Sequence, residues 1–377
     1  MNGKPRIFLT SNVFSEDEIG SNEKISINIR DKISQLWNTL NSISDLKLYD
    51  GRFPTEEEMH DITKNFNPNI IGCHLSHPIT TNIVKNPDLF AISTSTAGFN
   101  HISRPENDDV IITHTPGVLF ETVADYSIAI IMANLRNLID LHQYVWDGNW
   151  EPDEKWDLDQ NLSSIIDNKV VGIVGLGEIG QELMKRLYKL GVKVIYTDVN
   201  RALRLERIHP GLDFMENIED VFREADIVSI HVPLNEATKN MVDGSLLKLM
   251  KKNALLINTA RGGIVDFDDL LNLLENGEIK INLSFDVYPE EPISKSILAR
   301  LKAIKKKFPE LRMVLLPHNA SADADTRGKM DILFLEDIIK LIDSNKVEDL
   351  EDIHLIPAHK KKLKKNQWRI KNYWNSK

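Results

Sequence analysis

Residues Val170 to Asp198, VVGIVGLGEIGQELMKRLYKLGVKVIYTD, leave the chain few choices of fold. A short apolar run, Val170 to Val174, meets Gly175, Gly177 and Gly180, then a helical pattern, then a second apolar run ending at Asp198. This pattern predicts strand, turn, helix and strand. Each glycine has a physical task in such a unit: a tight turn at Gly175, room for a pyrophosphate against the backbone at Gly177, and close packing of helix on strand at Gly180. A helix opening at Glu178 and Ile179 offers unpaired N–H groups and the positive end of its dipole to two phosphates. Asp198 can accept hydrogen bonds from both hydroxyls of an adenosine ribose. Three glycines alone also fit a turn in a sheet protein that binds no phosphate; the flanking strands and the acid favour a dinucleotide. A carboxylate at Asp198 repels a 2′-phosphate and so favours NAD, while Arg201 and Arg204 close behind argue for NADP.

At 377 residues the chain has room for two domains with full cores. Its net charge of -10 disfavours nucleic acid and anionic membrane as partners. A single cysteine, Cys73, excludes an internal disulfide and a cysteine-built zinc site and suits a reducing cytosol. The N-terminus lacks the apolar core of a signal peptide, and no apolar segment approaches the roughly 18 residues of a membrane span. The expected location is cytoplasmic.

Up to about residue 115, short apolar runs alternate with helical or polar stretches: Arg6 to Leu9, Leu46 to Tyr49, Ile70 to Leu75, Leu89 to Ser93 and Val110 to Thr113. The rhythm predicts a small α/β unit with a parallel sheet, and the absence of a glycine-rich loop after its first strand suggests substrate rather than nucleotide. Thr115, Pro116 and Gly117 break the pattern, and one long helix is expected over about 121–145. Its apolar middle, YSIAIIMANL, predicts burial on more than one side, by a second subunit in a homodimer or as a central helix within one chain. Trp146, Trp150 and Trp156 sit in an acidic connection, where they anchor a loop or contact a ligand. After Asp198 the pattern continues with helices near Ile218 to Glu224, Ser245 to Leu249 and Asp268 to Asn276, and strands Ile227 to Val232, Ala254 to Asn258, Asn282 to Val287 and Met313 to Leu316. The fold expected is α/β with two Rossmann-like domains. A dinucleotide-binding domain over 118–320 is inserted into a flavodoxin-like, discontinuous substrate domain of 1–117 and 321–350, completed by a helix from about Ala324 to Asp343. The tail, 351–377, holds eight Lys or Arg and no acid from Lys360 onward. Such blocks read as solvated, with a docked subunit arm or a polyanion contact as alternatives.

Three polar residues stand at predicted strand ends, where ligands of open parallel sheets bind: Arg261 in NTARGGIVD, Glu291 in FDVYPEEP and His318 in LLPHNAS. A guanidinium grips a carboxylate in a fork, an imidazole exchanges a proton near neutral pH, and a carboxylate orients that imidazole. Singly they read as a structural ion pair, a surface glutamate and a capping histidine; together on one nucleotide-binding sheet they read as a catalytic set.

These blocks, with TAGFNHI at 96–102, HTPGVLFETVADYSIA at 114–129 and ADIVSIHVPLNEAT at 225–238, resemble the D-isomer-specific 2-hydroxyacid dehydrogenases. The resemblance covers about residues 70 to 335. It implies that Arg261 binds the substrate carboxylate and carbonyl, that His318 is the general acid or base, and that Glu291 supports it, since the family's glutamate directly precedes proline and Glu290 does not. It further implies that Asp286 binds the nicotinamide carboxamide, that Val232, Pro233, Thr259 and Ala260 line the cofactor, and that the backbone at Ala97, Gly98 and Phe99 receives the substrate carboxylate. The implied substrate is a small 2-oxo or 2-hydroxy acid; glyoxylate, hydroxypyruvate and pyruvate are candidates. After His318 the family has an apolar residue and then glycine, where this chain has Asn319 and Ala320. The stretch RLKAIKKKF, between Glu291 and His318, reads as a surface insertion. In CHLSHP at 73–78, His74, Ser76 and His77 are either substrate contacts or structural. Dehydrogenases of phosphite or formate, and NADH-sensing corepressors built on this fold, are the alternatives.

Overall fold

A computed structural model describes residues 3–103, 109–151, 158–365 and 367–377. The chain divides into two compact units, Met1–Leu119 with Ala322–Lys377, and Phe120–Ser321. The first is built on strands β1 (Arg6–Leu9), β2 (Asp45–Leu48), β3 (Ile70–Cys73), β4 (Ala91–Thr94) and β5 (Ile111–Thr113), all parallel in the order β2-β1-β3-β4-β5. β3, β4 and β5 are buried throughout, as strands covered on both faces by crossover helices must be. Helix Ala324–Asp343 returns to this unit and packs on helix Ile27–Ile43: Phe334, Ile338 and Leu341 share a core with Ile33, Trp37 and Leu40. The Ser26 N–H donates to Asp325 Oδ1 at 2.7 Å and ties the starts of the two helices.

The basic segment after residue 350 departs from the solvated tail that its charge predicts. Trp368 and Ile370 are buried, and the indole N–H of Trp368 donates to the Leu363 carbonyl at 2.8 Å. Burying Ile370 alone contributes about 2 kcal/mol. Arg369 pairs with Asp109 at 2.8 Å and donates to the carbonyls of Val84 and Asn86; Lys377 donates to those of Ile342, in the last turn of helix Ala324–Asp343, and of Ser344, just after it. These cations cap helix ends that have unpaired carbonyls, so no local acid is required.

The second unit carries β6 (Val170–Val174), β7 (Lys193–Thr197), β8 (Leu212–Phe214), β9 (Ile227–Ile230), β10 (Leu255–Asn258), β11 (Asn282–Phe285) and β12 (Met313–Leu315). They form one parallel sheet in the order β12-β11-β10-β9-β6-β7-β8. The order reverses between β6 and β9, where open α/β sheets bind their ligands. The expected long helix is instead two, Phe120–Leu135 and Leu138–Trp146, broken at Asn137, whose φ of 55° is left-handed. The first buries Val123, Ala124, Ile130, Ile131 and Leu135; the second buries none of its residues. Trp146 and Trp150 are 78% and 62% exposed, so neither anchors a loop; Trp156 lies outside the described residues. The Lys-rich stretch expected as an insertion is part of helix Lys295–Lys307, which buries Leu301 and Ile304. No helix among the described residues is long and apolar enough to cross a membrane.

Candidate active site

Because β12, β11, β10, β9 and β6 are neighbours, the residues that follow them form one row along the carboxyl edge of the second sheet: His318, Asp286 to Glu291, Thr259 to Arg261, His231 with Val232, and the Gly175 loop. Asp198 follows β7, the next strand along.

The glycine loop fits a dinucleotide on three observations. Gly175 turns the chain at φ 93°, and a side chain there would meet Val232 and the His231 carbonyl. A Cβ at Gly180 would sit inside the contact distance of the Gly175 carbonyl, whereas at Gly177 it would meet nothing within 4 Å. Helix Glu178–Lys189 opens with no side-chain cap, so its first N–H groups, from Glu178 and Ile179, are left for a ligand. Asp198 accepts from the Leu176 N–H at 2.7 Å and the Asn200 N–H at 2.9 Å, joining the loop to the end of β7. The Thr259 hydroxyl is buried with no hydrogen-bond partner, as expected of a group that waits for a ligand. Ala260 donates its N–H to Asn258 Oδ1; Pro233 lies exposed on the next loop, its carbonyl taken by Thr238.

His318 and Glu291 meet: Nδ1 lies 2.6 Å from Oε2, and Oε1 accepts the Tyr288 N–H at 3.0 Å. Burial pushes the Glu291 carboxyl up, but the bonds from His318 and Tyr288 and the charges of His318 and Arg261 outweigh it and hold the group below the ordinary carboxylate range. Glu291 is therefore an anion at neutral pH. With Nδ1 engaged, Nε2 is the ring nitrogen left for chemistry. His318 is held at φ 55°, a left-handed conformation unusual for histidine.

Asp286 is what holds it there. Its own carbonyl accepts the His318 N–H at 2.8 Å, and its carboxylate accepts the N–H groups of Asn319 and Ala320, each at 2.8 Å, and the Tyr126 hydroxyl at 3.0 Å. The carboxylate is fully buried. Asn319 and Ala320 contribute through their backbone, which is why the departure from the family's apolar-glycine pair leaves the turn intact. Arg261 is fixed from behind: Asn258 donates to its carbonyl at 2.9 Å, and its Nη1 donates to the Ala260 carbonyl at 2.6 Å. Burial lowers the pKa of the guanidinium and the Glu291 carboxylate works against that shift; the group remains a cation. The next residue, Gly262, lies so close to the Tyr288 backbone that no side chain fits.

Tyr126, Asn258 and His231 were not singled out by sequence reasoning. A signal existed for Asn258, an amide closing the apolar strand LLIN. His231 bonds Ser229 Oγ at 2.8 Å, and burial pushes its imidazole down to about 4, so it is neutral.

In the first unit the loop Ala97 to Phe99 follows β4 and is braced from several sides. Thr96 donates to the Gly98 carbonyl at 2.6 Å, Ser95 donates to Asp331 at 3.0 Å, and the Thr115 N–H donates to the Thr96 carbonyl. His114 Nδ1 bonds the Ala97 carbonyl at 2.8 Å, and its ring meets Phe99 edge-on. His77 is buried, between Thr10, the His74 N–H and the Arg52 carbonyl, and is thus structural. A cavity of about 510 Å³, lined among others by Lys169, Asp226 and Arg312, lies at the opposite, amino edge of the second sheet and holds none of these residues.

Residues 128–320 match the family described as D-isomer specific 2-hydroxyacid dehydrogenase, NAD binding domain. A glyoxylate reductase of Thermofilum pendens is 34% identical over 284 residues, covering 72% of this chain and 80% of that protein. One of Aeropyrum pernix is 30% identical over 340 residues, covering 89% and 92%. Among solved structures, an NADPH-dependent glyoxylate/hydroxypyruvate reductase of Sinorhizobium meliloti, in complex with NADP and malonate, superposes with a TM-score of 0.70 at 22% identity, covering 94% and 97%. A D-lactate dehydrogenase of Aquifex aeolicus, complexed with NAD and lactic acid, gives 0.70 at 22% identity, covering 93% and 98%.

Proposed function

Since the chain belongs to the D-isomer specific 2-hydroxyacid dehydrogenases, oxidoreductases that work with a nicotinamide dinucleotide, we propose that it reduces small 2-oxo acids with NADH, glyoxylate first among them. The observation that carries this reading is the His318–Glu291 pair at 2.6 Å, on the same sheet edge as Arg261 and the glycine loop. The relatives named above as glyoxylate reductases support the choice of substrate.

The bound dinucleotide supplies the hydride; the rest falls to the chain. Arg261 grips the substrate carboxylate and orients the carbonyl. His318, protonated, gives the proton on Nε2 to the carbonyl oxygen as negative charge develops there. Glu291 points the imidazole by holding Nδ1. Asp286 keeps the turn under His318 in place, and Thr259 offers its unpaired hydroxyl to the cofactor, beside Val232, Pro233 and Ala260. Following NADH and NADPH oxidation with glyoxylate, hydroxypyruvate and pyruvate tests the proposal, and turnover on none of them overturns it.

NADH is the proposed partner because Asp198 sits where a 2′-phosphate would be repelled. In Asp198→Ala, NADH binds about tenfold more weakly as the ribose hydrogen bonds are lost, and discrimination against NADPH shrinks. Cofactor dissociation constants equal to the parent's would show that the acid does not read the ribose.

The second unit also presents Leu138, Ile139, Val145, Trp146, Leu158, Leu162 and Ile165, each at least half exposed, along 138–165. Exposed apolar side chains in this number suit an interaction surface. We propose that a second copy covers them in a cytoplasmic homodimer. Sedimentation equilibrium then gives twice the mass of 43.0 kDa, and Val145→Glu with Trp146→Glu returns it to the monomer value. A monomeric parent removes the proposal.

A further inference from the structure

We propose that Glu206 is a specificity-determining residue of the dinucleotide site: it holds Arg201 away from a 2′-phosphate, so that two acids, Asp198 and Glu206, set the preference for NAD. The inference rests on reading Val170 to Asp198 as the dinucleotide site.

An arginine just beyond the second strand is what a 2′-phosphate requires, and Arg201 stands three residues after Asp198. The structure employs it elsewhere. Its Nε donates to Glu206 Oε1 at 3.0 Å and its Nη2 to Oε2 at 2.8 Å, a two-point fork. Its guanidinium lies over the Phe214 ring, 5.2 Å from the centroid. Glu206 is in turn fixed by the core: Oε1 accepts the hydroxyl of the fully buried Tyr196 at 2.7 Å, and that hydroxyl accepts the Ala202 N–H at 2.7 Å. The bonds from Arg201 and Tyr196 hold the Glu206 carboxyl below the usual carboxylate range, so the pair is ionic at neutral pH.

The Arg201 side chain is 53% exposed and that of Glu206 15%. An ion pair of this exposure is weak in absolute terms. Its effect here is geometric, because it selects which direction the guanidinium faces. Arg204 makes no ion pair among the described residues, so the test must separate the two arginines.

The measurement is titration of the full chain with NADH and with NADPH, read by calorimetry, without any turnover. Glu206→Gln keeps an acceptor for Tyr196 and removes the charge. NADPH then binds about fivefold more tightly, the size of effect expected when a half-exposed pair is released to a phosphate, and NADH binding stays within about twofold of the parent. The gain disappears in Glu206→Gln with Arg201→Ala, and Arg201→Ala alone leaves NADPH binding unchanged because that guanidinium is already occupied. An unchanged NADPH constant in Glu206→Gln overturns the proposal, as does a gain that survives Arg201→Ala, or a loss of NADPH affinity in Arg201→Ala alone. A parent that binds neither nucleotide overturns the underlying site as well, which separates the two failures.

Discussion

His318→Gln lowers kcat for 2-oxo acid reduction by about 100-fold or more, the usual contribution of a positioned proton donor, and leaves the dissociation constant of NADH within about twofold. An amide can occupy the space and accept a hydrogen bond, but it has no proton to give at neutral pH. The backbone at this position adds a complication, since φ is 55° and a glutamine must adopt a left-handed conformation. Asparagine tolerates that region better, so His318→Asn is the companion variant in which loss of the proton donor is separated from loss of the turn. Both variants should lose kcat to a similar degree, while only the glutamine variant melts measurably earlier. A His318→Asn enzyme with unchanged kcat would take His318 out of the mechanism.

Replacing Arg261 has the second large effect, and it falls on substrate binding. Arg261→Gln removes the charge-assisted bonds to the substrate carboxylate and lowers kcat/KM by roughly 100- to 1000-fold, most of it in KM. Arg261→Lys restores the charge without the planar fork and recovers only part of the loss. The guanidinium is half-buried and its neighbour Gly262 is packed against the Tyr288 backbone, so a lysine cannot re-approach the substrate by moving the loop. Initial rates over a range of glyoxylate concentrations decide the matter. A KM that Arg261→Gln does not change would assign the residue to structure alone.

The parts of this protein legible in its sequence are those in which spacing itself encodes the physics. Gly175, Gly177 and Gly180 stand at intervals that only a turn into a helix requires, and the helices Ile218–Glu224 and Ala324–Asp343 lie over the residues their periodicity indicates. The break at Asn137 is different, because a single left-handed residue leaves no periodic trace between two apolar stretches. β8, Leu212–Phe214, is interrupted by the exposed Asp213 and so leaves no apolar run to read. The basic tail misleads for another reason. Charge counted along the chain omits partners distant in sequence, and Arg369 finds Asp109 across 260 residues. The same distance hides the support of the candidate site. His318, Glu291 and Arg261 are visible because strand ends are visible; the bonds from Tyr126 to Asp286 and from His114 to the Ala97 carbonyl join residues that no local pattern connects.

The two helices that close the first unit also set a timetable for its manufacture. Roughly 280 residues separate the end of helix Ile27–Ile43 from the start of helix Ala324–Asp343. At about 5–20 residues per second a ribosome needs some 15–60 s to cross that interval. Throughout it Ile33, Trp37 and Leu40 have no Phe334, Ile338 or Leu341 to cover them. The second unit, continuous in the chain, can be complete before the first is. A nascent chain of this design carries a folded nucleotide-binding unit and an open apolar face at once, until the last helices emerge.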